Sequence, residues 1–143
     1  MFFNINSIPF LVLVLTTVLF VCVHNAARSQ MAEAFFKEYA SRRHRGISAG
    51  SQPAEEVNPE AVRAMAEVGI DISGAKPKRL TADLVEEADI VVTMGCGEEV
   101  CPIVPKEVIE WDLEDPSGKP IERVREIRDH IRDKVQQLVD RID

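Results

Sequence analysis

The chain alternates between short, continuously apolar runs and longer segments in which apolar residues recur every three to four positions. The first pattern is typical of strands buried on both faces, and the second of amphipathic helices. Strands are predicted at Thr17–Val23, Gly46–Ser51, Asp89–Met94 and Glu107–Trp111. Helices are predicted at Ser29–Ala40, Pro59–Val68, Thr81–Glu87 and from Pro120 onwards. This alternation predicts an α/β fold with a four-stranded parallel sheet and helices on both faces.

Two of the helices carry clear local signals. Asn58 suits the N-cap of the second helix, Pro59 its first position and Gly69 the left-handed residue after its end. The core-facing residues of this helix are predicted to be Val62, Met65, Ala66 and Val68. The apolar stripe of the last helix is predicted to comprise Ile121, Val124, Ile127, Ile131, Val135, Leu138 and Ile142.

The most informative stretch joins the first strand to the first helix. The strand runs into Cys22, and Arg28 and Ser29 open the helix after five intervening residues. A loop that opens a helix points backbone N–H groups at one spot, where the helix dipole also favours negative charge. A cysteine there becomes a thiolate, and Arg28 can bind an oxyanion with two parallel hydrogen bonds. The alternative is a buried core thiol beside an ordinary helix-start arginine.

Length, charge and cysteine content narrow the classes of function. The 143 residues suffice for one domain with a core, and the net charge of −7 argues against nucleic-acid binding. Anion binding must therefore come from local groups and not from the overall field. Three cysteines do not make a secreted disulfide framework. They suggest reactive thiols in a reducing compartment, so we expect a cytoplasmic protein.

The N-terminus is unusually apolar. Residues 1–27 contain no charged side chain, and Phe10–Val23 is almost continuously hydrophobic. A signal peptide would have a basic first segment, and a membrane span here would include Cys22 and the first strand. We therefore expect residues 1–15 to be an apolar extension or a mis-assigned start, and residues 16–143 to form the domain. A membrane-associated extension is the alternative.

The sequence resembles the low-molecular-weight tyrosine phosphatase superfamily and, within it, the thiol-coupled arsenate reductases. The segments that carry the resemblance are His24–Glu33, Ser48–Gly50, Asn58–Val62, Gly69–Ser73, Val92–Cys96 and Asp115–Pro116. The resemblance implies arsenate as substrate, phosphate or sulfate as analogues, and thioredoxin or a similar thiol as external reductant. It also implies a monomer without a tightly bound cofactor. Detoxification of arsenic is the expected role.

The same resemblance assigns roles to residues. It implies that Cys22 is the nucleophile, that Ser29 hydrogen-bonds its thiolate, and that Asp115 is the general acid, with Asp112 as a competitor for that role. The oxyanion-binding loop would consist of Cys22, Val23, His24, Asn25, Ala26, Ala27 and Arg28. Ala27 stands where several relatives carry a second cysteine. Some relatives also bind potassium beside this loop, at positions that match Asn25, Glu33 and Ser48.

Cys96 and Cys101 follow the third strand. In a parallel sheet this loop lies at the same edge as the Cys22 loop, so Cys96 could reach Cys22 and Cys101 could then reach Cys96. The resemblance implies a three-cysteine disulfide relay. Two inert thiols or a metal site are the alternatives, although no further zinc ligands have suitable spacing.

Two other functions compete with arsenate reduction. A tyrosine phosphatase needs only Cys22, and a non-enzymatic anion or redox sensor could use the same fold. Ser117 and Gly118 follow Asp115-Pro116, where phosphatases of this superfamily carry aromatic residues that hold a phosphotyrosine ring. A small, bare oxyanion therefore suits the predicted site better than an aryl ester.

Overall fold

The computed structural model describes residues 15–95 and 106–143. Four strands form one parallel sheet in the order β2-β1-β3-β4. The strands are β1 (Thr17–Cys22), β2 (Arg45–Gly50), β3 (Ile90–Thr93) and β4 (Glu107–Glu110). The helices are α1 (Arg28–Tyr39), α2 (Pro59–Glu67), α3 (Ala82–Glu87) and α4 (Ile121–Ile142). The predicted four-stranded parallel sheet is confirmed.

β1 lies in the middle of the sheet, and all six of its residues are buried. Its side chains alternate between the two faces, as the period of a strand requires. Phe20 and Cys22 belong to the larger core, which also contains residues of α1, α2 and α4. Leu19 and Val21 belong to a smaller core with Val85 of α3. Helices thus cover both faces of the sheet, as the sequence predicts.

The local signals around α2 act as expected. The Asn58 side chain accepts a hydrogen bond from the Glu60 backbone N–H at 2.8 Å, and Gly69 has φ +83°. The predicted core face is wrong in part, because Ala66 and Val68 are exposed and Val62 is only partly buried. The fully buried residues of α2 are Ala61, Ala64 and Met65. The packing of α2 against α4 decides which face of α2 is buried. The apolar periodicity of this short helix is too weak to predict that face.

α4 buries the middle of the predicted stripe, whereas Ile121 and Ile142 at its two ends are only partly buried. The helix also adds charged contacts to α2. Arg128 is buried and donates to the Ala64 carbonyl oxygen at 2.8 Å and to Glu67 at 3.0 Å. Arg125 also hydrogen-bonds Glu67, and this contact lowers the pKa of Glu67 to about 2. Glu67 therefore stays ionised throughout the neutral range and keeps both arginines as partners.

The carboxyl ends of the strands define the edge where function is expected. β1 ends at Cys22, and β3 beside it and β4 beside β3 end at the same edge. Cys96 and Cys101, as well as the proposed extension over residues 1–15 apart from Leu15, lie outside the described residues. Within 15–95 and 106–143, no helix has the length and apolar character that a membrane crossing requires.

Candidate active site

The loop between β1 and α1 is held from outside by its carbonyl oxygens. Those of Cys22, Val23, His24 and Ala26 accept hydrogen bonds from the backbone N–H groups of Ser51, Gln52, Ala54 and Asn58, respectively. In a trans peptide the N–H of the next residue points the opposite way from the carbonyl. The N–H groups of Val23, His24, Asn25 and Ala27 are therefore directed to the inside of the loop. This is the arrangement that binds a tetrahedral oxyanion.

Gly50, at the end of β2, allows the loop to lie this close. A Cβ atom at position 50 would be 2.6 Å from the Val23 carbonyl oxygen and 2.9 Å from the Asn25 backbone nitrogen. Real Cβ atoms do not approach backbone atoms so closely, so any other residue would push the loop away. The glycine of the Ser48–Gly50 segment, which is one of the segments that resemble the family, is thus required for a steric reason.

Cys22 is 2% exposed and has a hydrogen-bond partner for its sulfur. Its Sγ lies 2.8 Å from the Ser29 hydroxyl oxygen, which accepts a hydrogen bond from Asn25 Nδ2 at 2.6 Å. Because the amide supplies that hydrogen, the Ser29 hydroxyl is free to donate its own hydrogen to Cys22. A hydrogen bond donated to sulfur stabilises the thiolate, which is the nucleophilic form of cysteine.

Asn25 is the centre of the buried network below the loop. Its φ of +50° is unusual for a residue with a side chain, and its amide uses its full hydrogen-bonding capacity. Nδ2 donates to the Ser29 and Ser48 hydroxyls at 2.6 and 3.0 Å. Oδ1 accepts from Gln30 Nε2 at 3.0 Å and from the Lys78 backbone N–H at 2.9 Å. These contacts stabilise the strained backbone on which the loop shape depends.

Arg28 is 6% exposed and is fixed from two sides. Its Nη1 donates to the Leu113 carbonyl oxygen at 3.3 Å, and its Nη2 lies 3.8 Å from Asp115 Oδ2. Gly95 approaches from the end of β3, with φ +70°. A Cβ atom there would lie 2.5 Å from Arg28 Nη1. The guanidinium is therefore positioned by the segments that follow β3 and β4.

Asp115 faces the same cleft from the loop after β4. Its side chain is half exposed, and its Oδ1 accepts a hydrogen bond from the Ser117 backbone N–H at 2.9 Å. Glu114, the residue before Asp115, accepts a hydrogen bond from Arg123 of α4. This hydrogen bond lowers the pKa of Glu114, which therefore stays ionised. Asp112 lines an adjoining pocket with Glu114 and Arg123 instead. Of the two candidates for the general acid, Asp115 is the one that lines the cleft with Cys22.

The cleft has a volume of about 240 Å³. Its lining residues are Cys22, His24, Ala26, Ala27, Arg28, Ala54, Asn58, Asp115 and Ser117. No Phe, Tyr or Trp lines it within the described part of the chain. The His24 ring lies 3.0 Å from the Gln52 carbonyl oxygen, so it braces the outside of the loop.

The structure therefore brings together Cys22, Arg28, Ser29 and Asp115, while Cys96 and Cys101 fall outside the described residues. The sequence interpretation missed the residues that support the loop from a distance: Gln30, Gly50, the 51–58 segment and Lys78. Asn25 and the Lys78 backbone are 53 positions apart, so no local pattern could pair them. The sequence predicts Asn58 as a helix cap, and in the structure its N–H also donates to the Ala26 carbonyl oxygen.

The loop, the Cys22 thiol and the facing Asp115 lie around one cleft. The chain belongs to the low molecular weight phosphotyrosine protein phosphatase family, whose model matches residues 17–143. A putative arsenate reductase of Halobacterium salinarum is 41% identical over 126 residues, which cover 85% of this chain and 89% of that protein. The family resemblance seen in the sequence is thus confirmed.

Solved structures that are similar to this chain agree with its assignment to this family. The thioredoxin-dependent arsenate reductase of Corynebacterium glutamicum is 40% identical, with a TM-score of 0.76. The match covers 90% of this chain, which spans only 61% of the length of that structure. The YwlE arginine phosphatase of Geobacillus stearothermophilus is 27% identical, with a TM-score of 0.80, over 88% of this chain and 92% of that one. The fold therefore occurs with both reductase and phosphatase chemistry.

Proposed function

We propose that this chain reduces arsenate to arsenite. The observation that carries the proposal is a buried Cys22 thiol that is paired with Ser29 and lies at the anion-binding loop, in a cleft that no described Phe, Tyr or Trp lines. That cleft suits a bare tetrahedral oxyanion. The relatives named arsenate reductase support arsenate as that oxyanion. Phosphate and sulfate have the same shape and should compete for the loop.

The first step is a nucleophilic displacement at arsenic. The Cys22 thiolate attacks arsenate held by the loop N–H groups and Arg28, and an S–As bond forms. One oxygen leaves as water after Asp115 donates a proton to it. Arsenic remains in its +5 state in this adduct, so no electrons have yet been transferred to it.

The second step is a disulfide relay through Cys96 and Cys101. The Cys96 thiolate attacks Cys22 Sγ, a disulfide forms, and the electron pair of the S–As bond reduces arsenic to arsenite. Cys101 then attacks Cys96 and releases Cys22 as a thiolate. Thioredoxin or a similar thiol reduces the Cys96–Cys101 disulfide that results. We propose that the enzyme works in the cytoplasm, where such reductants are present, and protects the cell against arsenic.

The position of Gly95 supports the first transfer of this relay. Gly95 lies against the Arg28 guanidinium, and Cys96 is the next residue along the chain. Gly95 therefore brings the chain to Arg28, which is one of the residues that line the cleft with Cys22.

Arsenate reduction and phosphate ester hydrolysis should separate clearly in one preparation. We expect arsenate turnover with thioredoxin and thioredoxin reductase, and weak hydrolysis of aryl phosphates that does not change when Cys96 and Cys101 are replaced by serine. The physical reason is that the described residues give the cleft no Phe, Tyr or Trp side chain against which an aryl ring could stack. Efficient dephosphorylation of phosphotyrosine peptides without arsenate turnover would reverse this proposal in favour of a phosphatase.

The Asp115→Asn variant should lose about 100-fold in arsenate turnover, because general acid catalysis typically contributes this much or more. Asp112→Asn is the matched control and should retain nearly full activity, since its side chain lines the adjoining pocket. The measurement is the arsenate-dependent oxidation of reduced thioredoxin at saturating substrate. Equal losses in the two variants would contradict the role proposed for Asp115.

A further inference from the structure

The carboxylate of Glu33 lies at the far end of the network below the nucleophile. Its Oε1 accepts a hydrogen bond from the Ser48 hydroxyl at 2.5 Å, and that hydroxyl accepts one from Asn25 Nδ2 at 3.0 Å. Asn25 in turn donates to Ser29, whose hydroxyl contacts Cys22. The Glu33 side chain is only 13% exposed, so its negative charge needs a nearby positive one. The positive group that neutralises Glu33 therefore also affects the hydrogen bonds that lead to Cys22.

The resemblance to potassium-binding relatives assigns this place to an alkali cation, but the oxygen atoms present do not fit one. Asn25 Oδ1 already accepts two N–H groups, from Gln30 and from Lys78. The Ser48 hydroxyl oxygen already accepts from Asn25 while it donates to Glu33. Hard cations need several free oxygen ligands, and these oxygens are largely in use.

An ammonium group already stands beside Glu33. Lys78 Nζ lies 3.8 Å from Oε1, the oxygen that accepts from Ser48. The other oxygen, Oε2, pairs with Lys37, which is 61% exposed and one helical turn away in α1. The Lys78 ammonium would repel a second cation at Oε1 and supplies the charge that such a cation would bring.

The backbone of Lys78 is fixed independently of its side chain. Its N–H donates to Asn25 Oδ1, its carbonyl oxygen accepts from the Gly50 N–H at 2.8 Å, and Arg79 forms a parallel bridge with Gly50. A substitution that shortens or neutralises the side chain therefore leaves these backbone contacts in place. The ammonium can be tested separately from the loop support.

We propose that Lys78 is a positioning residue for Cys22, and that its ammonium takes the place that an alkali cation would need beside Glu33. The carboxylate then holds the Ser48 hydroxyl, which directs the Asn25 amide to Ser29 and the Ser29 hydroxyl to the Cys22 thiolate. The enzyme accordingly needs no potassium. This inference rests only on Cys22 as a thiolate and goes beyond the proposed reduction of arsenate.

The test compares Lys78→Met with the unchanged chain in potassium chloride and in tetramethylammonium chloride, both at an ionic strength of about 0.1 M. The readout is the rate of Cys22 alkylation by iodoacetamide, followed by mass spectrometry of the peptide that carries Cys22. Alkylation needs no arsenate, so its outcome is distinguishable from failure of the proposed function. Thermal unfolding in both salts shows whether each variant is folded.

The unchanged chain should react equally fast in the two salts. In tetramethylammonium, Lys78→Met should react about threefold more slowly, a size typical of coupling through one half-exposed ion pair. Potassium should restore part of that rate, because Glu33 Oε1 has then lost its ammonium partner and a small cation can pair with this carboxylate without using the oxygens of Asn25 and Ser48. Lys76→Met is the matched control, since Lys76 is in the same segment and forms no ion pair with Glu33 among the described residues. It should match the unchanged chain in both salts.

Three results would overturn the proposal. They are a several-fold stimulation of the unchanged chain by potassium, a full rate for Lys78→Met in tetramethylammonium, or a slow Lys78→Met rate that potassium leaves low. If Lys78→Met does not fold, Lys78→Gln tests the same contact. The double variant Glu33→Gln, Lys78→Met lacks the charge that either cation would neutralise. It should show no potassium effect, and a persisting effect would place the cation elsewhere.

Discussion

Replacing Cys22 with serine is expected to lower arsenate reduction by roughly four orders of magnitude or more, as losses of covalent nucleophiles do. A serine hydroxyl is far less acidic than a thiol, so it stays un-ionised at neutral pH even with a hydrogen bond from Ser29. A serine also cannot form the disulfide with Cys96 that the relay requires. Arsenite production with thioredoxin as reductant measures the effect.

The fold and the anion site should survive that substitution. The loop is held by the backbone N–H groups of the 51–58 segment and by Asn25, none of which depends on the sulfur. Thermal unfolding and calorimetric binding of phosphate should therefore change little. Arsenate reduction by Cys22→Ser at a rate near that of the unchanged chain would overturn the assignment of the nucleophile.

The Cys101→Ser variant is expected to release about one arsenite per enzyme and then stop, because the first disulfide has no internal thiol to resolve it. A single exposure to arsenate should leave a disulfide between Cys22 and Cys96. Gly95 and Gly97 flank Cys96 and give the backbone the freedom that two successive pairings need. Mass spectrometry of the trapped and digested protein identifies the linked peptides.

The Cys96→Ser variant provides the comparison for this relay. It should stall before the Cys22–Cys96 disulfide, so it should release far less arsenite than Cys101→Ser in the first turnover. The order of the two thiols follows from their distance along the chain from Gly95, which lies beside Arg28. A Cys22–Cys101 disulfide as the main product in the unchanged enzyme would show that the order is the reverse.

The residues of the cleft differ in how well the local sequence pattern predicts them. Cys22, Arg28 and Ser29 lie within one strand-loop-helix segment, so their spacing alone predicts the loop. Asp115 was favoured over Asp112 because of the family resemblance, and the structure places it at the cleft with Cys22.

The sequence by itself determined the order of strands and helices, the parallel sheet and the loop between Cys22 and Arg28. Those features depend on apolar periodicity, helix caps and glycine positions, which are local properties of the chain. Only the tertiary structure decided what supports that loop. Asn25 meets Ser48 and the Lys78 backbone, and Glu33 meets the Lys78 ammonium, across 23, 53 and 45 positions of sequence, respectively. Such contacts arise when β2 and the segment after α2 pack beside β1, and no periodicity within a single element encodes them.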